Sequence, residues 1–508
     1  MSSSTDRNTI ARARGEWGIG AWLLMACEIV ALGCIVAFSA SVFAPLDALC
    51  IVLAMTVAYL VPRFIYSESR VACRAGQWLL LVVGALLAVY AILSIKMWTV
   101  DAGYTLEMPR LQSDDGGYYR WALHHYDGRC PEPNVSIKGL PLFMLWLWKV
   151  LGVSIVWPVA LNYMFTMLAI VMTGKVAVRL LRGRVEGTSP AATAVLAMLM
   201  VATMGFFLSQ GVRIQKEAAC AFGFTTVGYV LAGMSTPGTS SKGERHRDWA
   251  LFVLATLVVA LVRTNFTYFI VIGAAMMAFA CRRAHWRQGT AMAAVAMLMA
   301  VAFSLIFSYT FKHQLVTIDG GEAMARDFKM GLMQQPYHAI IGDFFFYPEW
   351  KRLLLLPVIG GVQYIIPFPW LYEGSDMSIF SVLPRVRLMW YVVGGVCLHY
   401  YLYITIVRFK QQNLGMWAWW PLVLFFAIAF ITGGTVSRYI LPIEPLFVVI
   451  AVYVLLQVRQ GYYRRSFMVW MVVYTFILVA VLILCYQSQV EYLHNLDEYY
   501  RQRAAMGL

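Results

Sequence analysis

The sequence has little charge of either sign, and acidic residues are fewer than basic ones. Only 13% of its 508 residues are Asp, Glu, Lys or Arg, whereas 61% are hydrophobic and the mean hydropathy is +0.68. Soluble domains are typically about 25% charged and about 45–50% apolar, so the composition excludes an ordinary soluble enzyme. It also excludes a disordered or collagen-like chain. The composition indicates a polytopic membrane protein.

The cysteine spacing that marks metal or disulfide frameworks is also missing. None of the nine cysteines forms a CxxC pair, and nearly all of them lie in or beside apolar runs. Only Cys130 lies in a clearly polar segment, and a lone exposed cysteine provides no disulfide framework. We therefore expect no protein metal site and no resident cofactor, although a divalent cation at the active site stays open.

The net charge of +14 indicates orientation in a membrane rather than a nucleic-acid partner. The short polar connectors between apolar runs are basic, whereas the longer ones are mixed in sign and rich in aromatic residues. By the positive-inside rule, the basic connectors and the N-terminus face the cytoplasm. The predicted localisation is therefore a multi-pass protein of the bacterial inner membrane, with its long loops outside and the lipid bilayer as its environment.

Apolar runs predict an all-α fold with about 13 transmembrane helices in a single transmembrane domain, residues 1–508. A crossing helix needs about 20 apolar residues to span about 30 Å of hydrocarbon. The predicted spans are 17–39, 47–62, 78–95, 154–178, 190–208, 218–236, 249–262, 265–281, 288–310, 388–407, 414–433, 438–457 and 466–486.

Two further apolar stretches, 140–152 and 353–371, are better explained as juxtamembrane elements. The first is too short to cross, and the second is interrupted by prolines and glycines. Counting either as a span would also place basic connectors outside. They belong to two large extracytoplasmic loops, 96–153 and 311–387, where we expect the chemistry because loops on a rigid scaffold carry function.

The first large loop contains two adjacent carboxylates, Asp114 and Asp115, followed by two glycines and Tyr118. A carboxylate just outside a membrane helix can act as a general base or as a metal ligand. Neighbouring side chains usually point apart, so one of the two is expected to be functional and the other structural. The plainer alternative is a solvated acidic turn.

Basic residues lie at the predicted outer ends of several different helices. They are Arg213, Lys216, Arg263 and Arg438, and Glu444 follows Arg438 among prolines. Such residues can converge on one anion near the lipid headgroups. Alternatively, each extends to a lipid phosphate or pairs with a nearby acid. Glu28 is the single acid of the first predicted helix, and its role stays open.

The order of these motifs resembles the GT-C superfamily of membrane glycosyltransferases, such as the lipid A aminoarabinose transferases and the protein O-mannosyltransferases. Three segments carry the resemblance: Asp114-Asp115-Gly116-Gly117-Tyr118, Lys138-Gly139-Leu140-Pro141-Leu142, and Arg438 to Pro445. The chain departs from that superfamily in lacking a Pro-Pro pair after Lys138 and in having two extra N-terminal helices.

The resemblance implies transfer of a sugar from a polyprenyl-phosphate donor to an extracytoplasmic acceptor glycan, lipid or protein, with inversion. It assigns Asp114, or else Asp115, as the general base. It assigns the donor phosphate to Arg438, Arg213, Lys216 and Lys138, with Tyr118, Arg263 and Glu444 as further candidates. A polysaccharide polymerase or ligase is the first alternative, and a transporter is the second.

Overall fold

The computed structural model describes residues 19–111, 113–129, 139–235, 241–280, 286–310, 389, 391–407, 414–432, 437–462, 464–477, 479–480 and 483. Within these ranges the chain is largely α-helical and contains no β-strand. The predicted second loop, 311–387, with its apolar stretch 353–371, lies outside the described residues.

We number the helices in chain order. They are α1 (Ile19–Val42), α2 (Pro45–Ser67), α3 (Arg74–Trp98), α4 (Ser113–Tyr126), α5 (Gly139–Leu151), α6 (Val156–Leu181), α7 (Pro190–Ala202), α8 (Gly205–Gln210), α9 (Glu217–Ser235), α10 (Lys242–Ala280), α11 (Trp286–Thr310), α12 (a π-helical turn Tyr391–Cys397 continued by Leu398–Val407), α13 (Met416–Thr432), α14 (Glu444–Arg459) and α15 (464–477).

Seven of the described helices, α1, α2, α3, α6, α9, α10 and α11, are long and apolar enough to cross a membrane. The all-α, multi-pass membrane character predicted from composition is therefore confirmed. Each predicted span also overlaps helical residues in the described part of the chain, including the shorter α7 and α12 to α15. The full count of 13 crossings and their orientation stay predictions.

The core of the bundle is formed by α6 and α9, while α1 lies at its edge. In the most apolar window of α6 and of α9, 83% of the residues are buried, against 11% in α1. Small residues allow the inner helices to approach closely. This is expected in a membrane, where van der Waals packing rather than the hydrophobic effect drives the association of helices. Gly223 of α9 is one example, because a Cβ there would lie 2.3 Å from Val259 Cγ2. The edge helix α1 therefore exposes most of its apolar surface to lipid.

The long helix α10 turns back on itself at Arg263. That residue has non-helical φ and ψ angles of −151° and 79°. Val259, before the break, packs on Gly223 of α9, and the Phe266 ring, after the break, lies 6.0 Å from the Phe224 ring of the same helix. Both halves thus lie beside one part of α9. The predicted spans 249–262 and 265–281 correspond to the two halves.

The segments 99–111, α4 and α5 lie together at one end of the bundle, which we call the loop end. The opposite end, where Arg179 of α6 meets Asp248 of α10, is called the basic end. At the loop end, Gly139 starts α5 so close to the turn of α10 that a Cβ would lie 2.3 Å from Leu261 O. Trp148, near the end of α5, donates to Ser154 O, just before α6. The two ends of α5 thus contact α10 and the segment before α6, and the juxtamembrane position of α5 stays a prediction.

Two predicted spans are interrupted in the structure. The span 190–208 is not one helix, because α7 ends at Ala202 and α8 begins at Gly205. Thr203 lies between them, and its hydroxyl donates to Leu199 O and Met200 O in the last turn of α7. The span 438–457 likewise starts with a 3₁₀ turn, Ser437–Ile440, before α14.

The intramembrane acid Glu28 is part of an ion pair. Arg63 of α2 donates through Nε to Glu28 Oε1 at 2.8 Å, and the Tyr59 hydroxyl donates to the same oxygen at 2.9 Å. The predicted span ended at residue 62, but α2 continues to Ser67 and so carries Arg63 on the helix. Glu28 therefore joins α1 to α2.

Candidate functional site

Helix α4, which carries the acidic motif, is fixed to the bundle by Tyr119. The Tyr119 hydroxyl donates to Glu107 O at 2.8 Å and to Leu106 O at 3.3 Å, and its ring packs edge-on against Trp148 at 4.8 Å. Burial raises the pKa of Tyr119, with the charge of Glu107 as a second cause, so the phenol keeps its proton and donates at any physiological pH. These contacts orient the preceding turn of the helix, where Asp115 lies.

Asp115 is buried and forms an ion pair with Arg213. Its side chain is only 2% exposed, and Arg213 Nε lies 2.9 Å from Asp115 Oδ2. The two residues are 98 positions apart in the chain, on α4 and on the segment between α8 and α9. The acidic motif and the first predicted basic residue thus meet at the loop end.

Arg213 uses only part of its hydrogen-bonding capacity in this pair. The guanidinium group carries five N–H donors, and Nε supplies the contact with Asp115. Within the described residues, its Nη1 and Nη2 atoms make no hydrogen bond, and 36% of the side chain is exposed. The guanidinium is therefore held through Nε, while its two Nη groups keep their donors for another partner. Such a planar fork is suited to a phosphate or a carboxylate.

The side chain of Asn162 on α6 holds the segment 211–216 in place. The Asn162 side-chain amide donates to Gln215 O at 2.9 Å and to Arg213 O. Irregular backbone at this depth is tolerated only where its polar groups find partners or line a cavity. Asn162 provides these partners and thereby fixes the position of Arg213.

Lys216, three residues after Arg213, lies over the ring of Tyr118. Its Nζ atom is 4.8 Å from the ring centroid, within range of a cation–π interaction. Tyr118 belongs to the same acidic motif as Asp115, so α4 and the 211–216 segment make two independent contacts. The residue is largely buried, at 8% exposure.

A second acid–arginine pair connects this region to the start of α14. Arg263, at the turn of α10, lies 3.4 Å from Glu217 Oε1 at the beginning of α9. Its guanidinium carbon also lies 4.1 Å from the Phe266 ring centroid and 4.6 Å from that of Tyr439. Tyr439 belongs to the 3₁₀ turn Ser437–Ile440. Arg263 thus bridges three segments that are distant in sequence.

The structure describes only some of the remaining predicted residues. Asp114 precedes Asp115 on α4, and Arg438 precedes Tyr439 on the 3₁₀ turn, but both side chains lie outside the described residues. Lys138 lies outside the described residues altogether. Glu444 is buried in the first turn of α14, at 2% exposure.

The sequence analysis did not single out Glu217, Tyr439 or Asn162 as site residues. Glu217 had a usable signal, because an acid that opens an apolar helix is costly to bury without a partner. Tyr439 and Asn162 had none, because a tyrosine or an asparagine beside an apolar run is common. Their importance becomes visible only through their contacts with Arg263 and with the 211–216 segment.

The candidate site brings two basic side chains, Arg213 and Lys216, to the acidic helix. Among the described residues, no group of three His, Cys, Asp or Glu side chains is arranged to hold a metal ion. The possible divalent cation therefore stays an open prediction. The arrangement presents the guanidinium of Arg213 and the ammonium of Lys216 beside the acidic helix, and fixed cations of this kind stabilise negative charge on a bound group.

Comparison with known proteins gives no relative from which to transfer a function. No protein-family model matches the chain, and no curated protein and no solved structure is significantly similar to it.

Proposed function

We propose that the protein is a membrane glycosyltransferase of the GT-C type. It takes a sugar from a polyprenyl-phosphate donor and transfers it to a glycan, lipid or protein acceptor on the extracytoplasmic face. The observation that carries the proposal is Arg213, whose Nε is anchored on buried Asp115 while its Nη atoms stay open beside Lys216.

The proposed chemistry is inversion at the anomeric carbon of the donor. The acceptor oxygen forms a bond to that carbon, and the bond between the carbon and the phosphate oxygen breaks. The acceptor proton passes to a carboxylate, and polyprenyl phosphate leaves with the bonding electrons. The base must lie within hydrogen-bond reach of the acceptor hydroxyl. Asp114 suits that role better than Asp115, because the Asp115 carboxylate already holds Arg213.

The phosphate that leaves gains negative charge as the bond breaks. In the proposed reaction Arg213 and Lys216 stabilise that charge, and each well-placed donor contributes about 3 kcal/mol in comparable sites. Arg438 and Lys138 remain proposed partners of the same phosphate, and Arg263 and Glu444 remain further candidates. In the donor the phosphate is a diester, and it leaves as the monoester polyprenyl phosphate; the proposal assigns its single phosphate charge to these basic side chains and requires no metal.

The contacts of Arg263 favour this proposal over the alternatives. A polymerase or ligase that joins two large lipid-linked glycans needs a wide cavity between the acidic loop and Arg438. Here Glu217 and Arg263 connect the 211–216 segment to Tyr439, next to Arg438. A transporter needs charged groups near the middle of the membrane that can bind its substrate. Glu28 is instead paired with Arg63 and hydrogen-bonded by Tyr59.

The test is sugar transfer by the purified protein in proteoliposomes, with a panel of radiolabelled polyprenyl-phosphate sugars as donors. Asp114→Asn should reduce transfer about 10²–10⁴-fold, the usual contribution of a general base. Asp101→Asn is the matched control, because Asp101 lies in the same loop, is exposed and pairs with Lys96. The control should transfer at the wild-type rate.

Two results would contradict the proposal. One is an Asp114→Asn variant that transfers at near-normal rates, which would remove the base. The other is a wild-type protein that transfers no sugar from any donor of the panel, which would remove the glycosyltransferase function.

A further inference from the structure

Two glutamines flank Arg213 on the segment that leads from α8 to α9. Gln210 ends α8, and Gln215 lies just before Lys216. Backbone hydrogen bonds hold them beside Arg213: its amide donates to Gln210 O at 3.3 Å, and the Gln215 amide donates to Arg213 O at 2.9 Å. The two glutamines are thus part of the same rigid turn as the cation of the candidate site.

Both glutamine side chains are buried, and each has an amide oxygen that accepts no hydrogen bond from the described residues. Gln210 is 5% exposed and Gln215 is 3% exposed. Within the described residues, neither Oε1 atom receives a hydrogen bond. A buried amide oxygen without a donor destabilises a fold, so such groups normally have partners. Two of them on one short turn are not explained by the packing of the bundle.

The chemistry of these atoms selects the kind of group that they would bind. The free Oε1 atoms need a hydrogen-bond donor, which the oxygens of an ionised phosphate do not provide, whereas the NH2 group of the same amide donates. The amide as a whole therefore suits a hydroxyl group, which both donates and accepts. The turn therefore separates two tasks: Arg213 and Lys216 match an anion, while Gln210 and Gln215 match an uncharged group rich in hydroxyls.

We propose that Gln210 and Gln215 recognise hydroxyl groups of the donor sugar and so determine which sugar is transferred. This inference rests on the proposed function, because it places the sugar beside the phosphate that Arg213 binds. A buried site built to bond a hydroxyl discriminates strongly against a ligand that lacks it, since the protein group is then left without a partner.

The test compares bare undecaprenyl phosphate with the undecaprenyl phosphates of glucose, galactose, mannose, N-acetylglucosamine and arabinose. Dissociation constants are measured for the wild type and for Gln210→Met, Gln215→Met and the double variant in lipid nanodiscs. Methionine keeps the size of the side chain and removes the amide. We expect the wild type to bind at least one sugar-bearing lipid about tenfold or more tightly than the bare lipid. The double variant should lose this preference and keep its affinity for the bare lipid.

The matched control is Gln460→Met at the basic end. The Gln460 side chain donates a hydrogen bond to Glu186 O, after the end of α6 that carries Arg179, and so lies away from the candidate site. This variant should retain the full preference for the sugar-bearing lipid. Thermal unfolding without lipid is measured in parallel, and we expect Gln210→Met and Gln215→Met to be as stable as the wild type, because an acceptor without a donor does not support the fold.

The possible failures are distinguishable. A wild-type protein that binds no polyprenyl phosphate overturns the proposed function as well. A wild type that binds bare and sugar-bearing lipids equally, or a double variant that keeps the preference, overturns only the role of the glutamines. A marked loss of thermal stability in the methionine variants would also overturn it, by assigning the amides to the fold.

Discussion

The two ends of the helix bundle each contain a buried aspartate paired with an arginine, but the pairs are built differently. At the basic end, Arg179 contacts both oxygens of Asp248, at 3.0 and 2.5 Å. It also donates to Tyr229 O and lies 4.3 Å from the Tyr229 ring centroid. At the loop end, Arg213 contacts Asp115 through Nε alone. The Arg179 side chain is 18% exposed, half the value for Arg213.

This difference separates a structural pair from a binding pair. The guanidinium of Arg179 is surrounded by partners that belong to the protein, so its charge holds the helices of the basic end together. The guanidinium of Arg213 is oriented by one bond and keeps its other donors for something else. Arginine forks in this state are typical of sites that bind phosphate or carboxylate groups.

The largest effect is expected from breaking the pair at the basic end. Asp248→Asn leaves the buried charge of Arg179 without its counter-charge, and such changes lower the free energy of unfolding by about 3–5 kcal/mol. The folded yield and the thermal unfolding midpoint should fall, whereas the transfer rate per folded molecule should not change. If Asp248→Asn folds normally and transfers poorly, the assignment of the two ends is wrong.

The next effect comes from changing both arginines in the same way. Arg213→Lys keeps the charge but removes the fork, so one ammonium group cannot both hold Asp115 and bind a phosphate in two places. Transfer should fall about hundredfold to thousandfold, corresponding to one lost oriented donor. Arg179→Lys should lower the unfolding midpoint and leave the rate unchanged. Equal behaviour of the two variants in both measurements would contradict the distinction.

A smaller effect is expected for Asp115→Asn. Asparagine retains an oxygen that accepts the bond from Arg213 Nε, so the arginine stays in place with a weaker neutral partner. Transfer should fall by about fivefold, in line with the roughly 1 kcal/mol difference between a charged and a neutral hydrogen bond. A complete loss of transfer in Asp115→Asn would instead make Asp115 the general base.

The smallest effect concerns the ring beneath Lys216. Tyr118→Phe keeps an aromatic face, so transfer should stay within about twofold of the wild type. Tyr118→Leu removes the cation–π contact, which is worth about 0.5–1 kcal/mol at partly exposed sites, and donor affinity should fall by about threefold. An equal loss with Phe and with Leu would assign the effect to the hydroxyl group rather than to the ring.

Most of the fold was predictable because hydrophobic runs locate membrane helices directly. The run 154–178 anticipates α6 within three residues at each end, and the polar Arg263-Thr264 step inside an apolar run anticipates the break in α10. The interruption after Ala202 was not predicted, because it occurs inside an apolar run whose hydropathy does not change at the break. A hydropathy pattern does not register a local change of backbone conformation of this kind.

The candidate site was predictable as a set of residue types but not as a set of pairs. Asp115, Arg213, Lys216 and Arg263 stand out because charge is rare beside apolar runs. Nothing in the sequence indicates that Arg213 meets Asp115 or that Arg263 meets Glu217, because such pairing depends on which helices are neighbours in the bundle. The roles proposed for these residues are predictions that remain to be tested.

The most direct test of the central claim is binding of bare undecaprenyl phosphate to the protein in lipid nanodiscs. We compare the wild type with Arg213→Gln and, as a matched control, with Arg247→Gln, an exposed arginine at the basic end beside Asp248. If Arg213 binds the donor phosphate, the Arg213→Gln variant should bind about tenfold or more weakly, while the Arg247→Gln variant binds as the wild type does. Equal affinity of Arg213→Gln and the wild type would contradict the account.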